Sequence, residues 1–334
     1  MQPLVSILIP AYNAQDTVAE TIRSAVAQTW PRKEVIVVDD GSTDRTLEIV
    51  RQFASKEVNV VTTENQGLCA AVNHAYGLCQ GDYIQELDSD DLISPNKIEL
   101  QLAALLKTGN RKLLGSSPWG YFFHRPSRAQ FAATSLWHDL TPVEWLLRKM
   151  GEHLHMQNAT WLMSREVAEA AGPWDTRLRY DQDGEYFARV LLASEGTRFV
   201  PEGRVFYRIS GLNQVSYIGK SNEKRESLLT SIKLHVKYLR SLEESERVRS
   251  ACLKYLQNAC LDFYPQRPDL VRELHRMAAE LQGSLEIPPP LRPKYAWMKP
   301  VIGEGAAFWV QNTLPMWKAI LEKHWDGLVQ RFEA

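Results

Sequence analysis

Residues 34–44 read EVIVVDDGSTD. Val35, Ile36, Val37 and Val38 are β-branched, and a run this short and this branched reads as a buried strand. It stops at Asp39-Asp40-Gly41-Ser42-Thr43-Asp44, a polar turn that supplies helix-capping residues. Leu47, Ile49, Val50 and Phe53 then provide the apolar face of a helix. The same unit repeats on both sides. Leu4–Ile9 is an apolar run that Pro10 is expected to stop, and Val18, Ile22 and Val26 mark an amphipathic helix ending near Trp30-Pro31. Val58–Val61 is a third strand, residues 68–79 a third helix and Tyr83–Leu87 a fourth strand.

This alternation predicts a single mostly parallel α/β sheet flanked by helices. In such sheets ligands sit beyond the carboxyl ends of the strands. Tyr12-Asn13, Asp39-Asp40, Glu64-Asn65-Gln66 and Asp88-Ser89-Asp90-Asp91 each follow a strand, so all four clusters share one edge. One such cluster is ordinary turn chemistry; four together point to a site. Asp88, Asp90 and Asp91 repel one another unless water or a cation intervenes. In an extended stretch Asp88 and Asp90 point one way and Asp91 the other. Carboxylates at a strand end suit a hard divalent cation that shares its oxygen ligands with substrate phosphates. The chain has neither GxxxxGK[ST] nor GxGxxG, so a phosphate ligand would rely on that cation for neutralisation.

The composition, 44% hydrophobic and 24% charged over 334 residues, is that of an ordinary globular protein. No window approaches the roughly 18 apolar residues of a membrane span. MQPLVSILIPAYN has no basic n-region and no small-residue cleavage site, so a signal peptide is not expected and a cytoplasmic location is. Cys69, Cys79, Cys252 and Cys260 are too dispersed for a CxxC motif and fit reduced thiols. Residues 220–334 carry a net charge of +4 and residues 1–219 one of −5. Neither part is basic enough to suggest nucleic acid.

Taken in order, SILIPAYNAQDTVAETIRSAVAQTW, VIVVDDGSTDRT, ENQGLCAAVNHA, GDYIQELDSDD and AGPWDTRLRYDQDGEYFARV make residues 4–210 resemble the family 2 glycosyltransferases. These are inverting enzymes with the A-type nucleotide-sugar fold. The resemblance implies a UDP-sugar donor, Mn2+ or Mg2+ as cofactor, and a hydroxyl on a glycan or lipid-linked acceptor. It places Pro10, Ala11 and Tyr12 at the base pocket, with Asp40 or its neighbour Asp39 on uracil. Asn65 and Gly67 would lie beside the nucleotide, and Asp88 and Ser89 on the donor side. Asp88 would face ribose or metal, and Asp90 would bind the metal bridging the donor diphosphate. DQDGEYFAR laid over the family's acidic pair puts Asp183 on the general base. Gln182 stands where the family usually has Glu, and Asp181 and Glu185 are alternatives for the base.

Two other readings are open. A sugar-phosphate nucleotidyltransferase would need a Gly-rich basic loop after the first strand, where this chain has Pro10-Ala11-Tyr12-Asn13. A non-catalytic nucleotide-sugar binding module would bind UDP without turnover, and Gln182 leans that way.

The catalytic domain is expected over residues 1–220, with a nucleotide-sugar half to about 115 and an acceptor half over 116–220. Trp119, Tyr121, Phe122 and Trp137 are candidates for acceptor stacking or for the core. Arg208 could reach phosphate bidentately, or form a surface salt bridge. His153 and His155 would share a strand face, but no third metal ligand follows, so acceptor contact is the better reading. Residues 221–334 read as helical. Trp317, Leu321, Leu328 and Phe332 give the tail one apolar helical face, which suits packing on the catalytic domain or on a second copy, or else rest on a membrane surface.

Overall fold

The computed structural model describes residues 2–209, 218, 221–264 and 266–286, and parts of 295–329. The first half alternates as expected: β1 (Val5–Ala11), α1 (Val18–Val26), β2 (Lys33–Asp39), α2 (Thr46–Arg51), β3 (Val58–Thr62), α3 (Leu68–Leu78) and β4 (Tyr83–Glu86). Then come β5 (Leu92–Ile93), α4 (Lys97–Thr108), β6 (Leu113–Ser116), β7 (Trp119–Phe122), β8 (Gln130–Phe131) and α5 (Pro142–Glu152). β9 (Met163–Ser164), α6 (Arg165–Ala171), α7 (Gln182–Ala193), β10 (Gly196–Phe199) and β11 (Val205–Arg208) complete the α/β part. The helices α8 (Asn222–Leu242), α9 (Glu246–Phe263) and α10 (Pro268–Glu280) follow.

The main sheet has the order β3-β2-β1-β4-β9; its first four strands are parallel and β9 runs antiparallel to β4. Two smaller ladders extend it, β10-β6 and β5-β11-β7-β8. Every residue of β1 is buried, as a central strand covered on both faces requires. Pro10 does not stop this strand. The even-numbered backbone groups of β1 face β4, whose ladder with β1 ends at Leu8, so the N–H that Pro10 lacks has no partner to lose. Helix α1 buries Val18, Thr21, Ile22 and Ala25 and ends at Val26, which is exposed; the core stripe follows 18-22-25, not 18-22-26.

Helix α9 packs on α5, and α8 packs on α7. The apolar core runs without a break from β1 to Leu256, Phe263 and Leu274. Among the described residues no helix is long and apolar enough to cross a membrane. Trp317, Leu328 and Phe332, expected on the apolar tail face, lie outside the described residues; Leu321 and Trp325 are exposed. Asp326 ties the end of the chain to the body, accepting from the His124 and Arg125 N–H groups and pairing with the Arg125 guanidinium at 2.7 Å.

Candidate active site

The loops beyond β1–β4 meet in a cleft of about 1150 Å³. Pro10, Ala11 and Tyr12 line it from the end of β1, Asp40 from β2, Asn65 and Gly67 from β3, and Asp88, Ser89 and Asp90 from β4. Asp181, Gln182 and Asp183, at the start of α7, line the same cleft. Residues more than 90 positions apart are therefore gathered around one space.

Asp39 is not among the lining residues. It is 1% exposed, and its carboxylate accepts from Thr62 Oγ1 (3.0 Å) and the Ser42 N–H (3.4 Å). Asp40 is committed to the backbone: it accepts from the N–H groups of Gln66 (2.9 Å) and Gly67 (2.8 Å), fixing the loop after β3 to the end of β2. Gly41 lets these two loops approach, since its φ is +68° and a Cβ there would lie 2.8 Å from the Asn65 nitrogen.

The Asp88–Asp91 turn is held from several sides. Asp88 accepts from the Asn158 amide at 2.9 Å, and the Ser89 carbonyl accepts from Thr17 Oγ1 at 3.0 Å. Asp91 is fully buried and braces the turn, accepting from the Arg208 N–H (2.8 Å) and the Gln157 amide (2.5 Å). Burial, with the charges of Asp90 and Asp88, holds Asp91 well above the carboxylate range. Burial and the charge of Asp90 likewise push Asp88 up to about 7. Behind the turn burial pushes Glu86 up to about 8, although Trp174 Nε1 donates to it at 3.1 Å.

Two hard oxygen donors pressed together at the cleft, one of them raised by the other, are a donor set that a divalent cation would relieve. Asp88 and Asp90 fit such an ion. Among the described residues no group of three or more His, Cys, Asp or Glu converges, so further ligands would have to come from water or a bound diphosphate.

Arg208 serves the turn from within the protein and not from the surface. It is buried, its Nε donates to the Asp90 carbonyl (2.7 Å), its Nη2 pairs with Glu20 (2.5 Å), and it lies over the Phe122 ring. Gln157, Asn158 and Thr17 were not singled out by the sequence, because an amide or hydroxyl in a loop carries no local signal of a partner some 70 positions away. Of the four aromatics, Trp119 and Phe122 are core, Trp137 stacks on Phe199, and only Tyr121 lines the cleft; Tyr207 joins it there. His153 and His155 do not share a strand: His153 caps α5 with φ 56°, and His155 packs edge-on against Trp119 at the cleft.

At α7, Glu185 turns inward, where it pairs with Arg189 (2.7 Å) and accepts from the Tyr238 hydroxyl (2.7 Å). Asp181 adopts φ 56°, and burial, against the opposing pull of Lys149, pushes it up to about 6. Asp183 faces the cleft from the first turn of the helix.

A mostly parallel sheet with its cleft at the strand ends, acids on one set of loops and a further carboxylate at a later helix define an α/β protein of the nucleotide-sugar-transferase type. Residues 6–170 match the model of glycosyl transferase family 2, and the chain thus carries a family 2 glycosyltransferase domain. It is 32% identical over 200 residues to an uncharacterised glycosyltransferase of Rickettsia typhi, covering 58% of this chain and 60% of that one. It is 44% identical over 102 residues to a chondroitin synthase of Escherichia coli, covering 30% of this chain and 15% of the synthase. The chain therefore spans less than two thirds of the length of either relative. The crystal structure of S. aureus TarS 1–349 in complex with UDP-GlcNAc shares the fold, with a TM-score of 0.65 at 16% identity over 83% of this chain and 81% of that one.

Proposed function

We propose that the cleft transfers a sugar, with inversion, from a UDP-sugar donor to a hydroxyl of a glycan or lipid-linked acceptor, in glycan, polysaccharide or glycolipid assembly. The observation that carries this is a single cleft joining the strand-end residues Pro10–Tyr12, Asp40, Asn65, Gly67 and Asp88–Asp90 to Asp183. The TarS complex supports a UDP-linked donor and the chondroitin synthase a polysaccharide product.

In this reading Pro10, Ala11 and Tyr12 receive the base, while Asp40 acts indirectly by holding the Asn65–Gly67 loop in place. Asp90 and Asp88 would hold Mn2+ or Mg2+, which when bound offsets the charge gained by the departing diphosphate. Asn158 and Arg208 keep the turn carrying those carboxylates in position. Asp183 accepts the proton of the acceptor hydroxyl as its oxygen bonds to the anomeric carbon and the sugar–phosphate bond breaks. An alcohol is a poor nucleophile at neutral pH, and a positioned base contributes about 10²–10⁴-fold. One displacement inverts the anomeric carbon and needs no covalent sugar–enzyme intermediate.

Asp183→Asn tests the assignment. Turnover of a responsive UDP-sugar should fall by about 10²–10⁴-fold, with UDP affinity within about twofold of the wild type, as expected of a group that acts on the acceptor. Unchanged turnover would contradict the role of Asp183, and UDP binding without turnover of any UDP-sugar by the wild type would return the chain to the non-catalytic reading.

A further inference from the structure

Beside the cleft lies a second cavity of about 210 Å³, which shares His155, Tyr180 and Asp181 with it. One wall comes from the end of α5 and the turn after it; the other comes from α8 and α9. Lys149 lines this chamber. It is 8% exposed, and among the described residues its ammonium has no hydrogen bond or ion pair. Lys149 feels the charge of Asp181 without bonding to it, so a hydroxyl entering the chamber would find its ammonium a ready donor.

The rest of the lining decides the kind of group. Asp181 and Asp262 stand in the same chamber as Lys149, so an anion would meet carboxylates and a cation would meet the ammonium. An uncharged polyol avoids both conflicts, since one hydroxyl can accept from Lys149 while another donates to Asp181. Leu228, Ile232 and the Tyr255 ring offer apolar surface to the C–H face of a sugar. Asp181 lies two residues before Asp183, so a sugar seated here is next to the proposed base.

We propose that this chamber is an acceptor subsite for an uncharged pyranose unit, held by Lys149 and Asp181. The proposal rests on the glycosyltransferase reading above and names the acceptor class for it. It also gives α8 and α9 a part in acceptor recognition.

Saturation-transfer NMR on the full chain with UDP and Mn2+ present tests this, using the methyl β-glycosides of glucose, galactose and N-acetylglucosamine beside glucuronate. At least one neutral glycoside should bind more tightly than glucuronate. Its affinity should fall at least tenfold in Lys149→Met and in Leu228→Trp, which fills the chamber, while UDP affinity by calorimetry stays within twofold. Preference for glucuronate, no glycoside binding while UDP binds, or binding indifferent to both substitutions would overturn the subsite. UDP failing to bind while a glycoside binds and responds to the substitutions would support the chamber and overturn the donor reading instead.

Discussion

His235 is fully buried, with Nδ1 2.8 Å from the Tyr255 hydroxyl and 3.8 Å from Asp181, and with Lys149, Glu185 and Asp183 nearby. Burial and the Lys149 charge push it down to about 3. An unfolded histidine takes up its proton near about 6.5, so below that pH the unfolded chain binds one more proton than the native one. The stability of neutral His235 is thus complete above about 6.5 and is lost as pH falls, by about 1.4 kcal/mol per unit. In urea unfolding, the stability difference between wild type and His235→Phe should shrink by about 2 kcal/mol from pH 6.5 to 5; a difference independent of pH would contradict this. Asn158 lines the cleft and donates one hydrogen bond to Asp88. Asn158→Ala should weaken Mn2+-dependent UDP binding by roughly tenfold, the worth of about one charge-assisted hydrogen bond, a loss that calorimetry at fixed Mn2+ would measure.

Among the elements, the turn after β2 and the loop after β3 form one unit, joined by the Asp40 carboxylate and the close approach at Gly41. Gly41→Ala would put a methyl 2.8 Å from the Asn65 nitrogen at positive φ and should cost about 1–3 kcal/mol, with UDP binding weakened as the loop shifts. A midpoint unchanged in thermal or urea unfolding would argue against that coupling. β1 and β2 were legible in the sequence because buried parallel strands are near-continuous apolar runs, whereas β3 (VNVVT) and β4 (YIQE) are more polar and were read from their alternation with helices. β5, β9 and β11 were not: they are two to four residues long, and β11 pairs with β5 across more than 110 positions. The strand-end acids could be read as a group, but not their division of labour. Asp39 and Asp91 look like their neighbours in the sequence, and only packing shows that their carboxylates brace the scaffold.

At the scale of the molecule, the helices after residue 221 are packed into the rest of the chain. α8 rests on α7, which carries Asp183, α9 rests on α5, and the core passes through all of them. We infer that residues 1–220, although they hold the proposed catalytic residues, need this support. A chain ending at residue 220 should lose the apolar contacts of α5 and α7 and unfold at a lower temperature or aggregate; equal thermal stability and UDP affinity would show an independent domain. In the proposed function the turn Leu87–Asp91 faces a metal and a diphosphate, and calorimetric titration of UDP with and without Mn2+, on the wild type and Asp90→Ala, is the decisive experiment. Binding should depend on Mn2+ and weaken at least tenfold in the variant. UDP binding indifferent to both Mn2+ and Asp90 would contradict it.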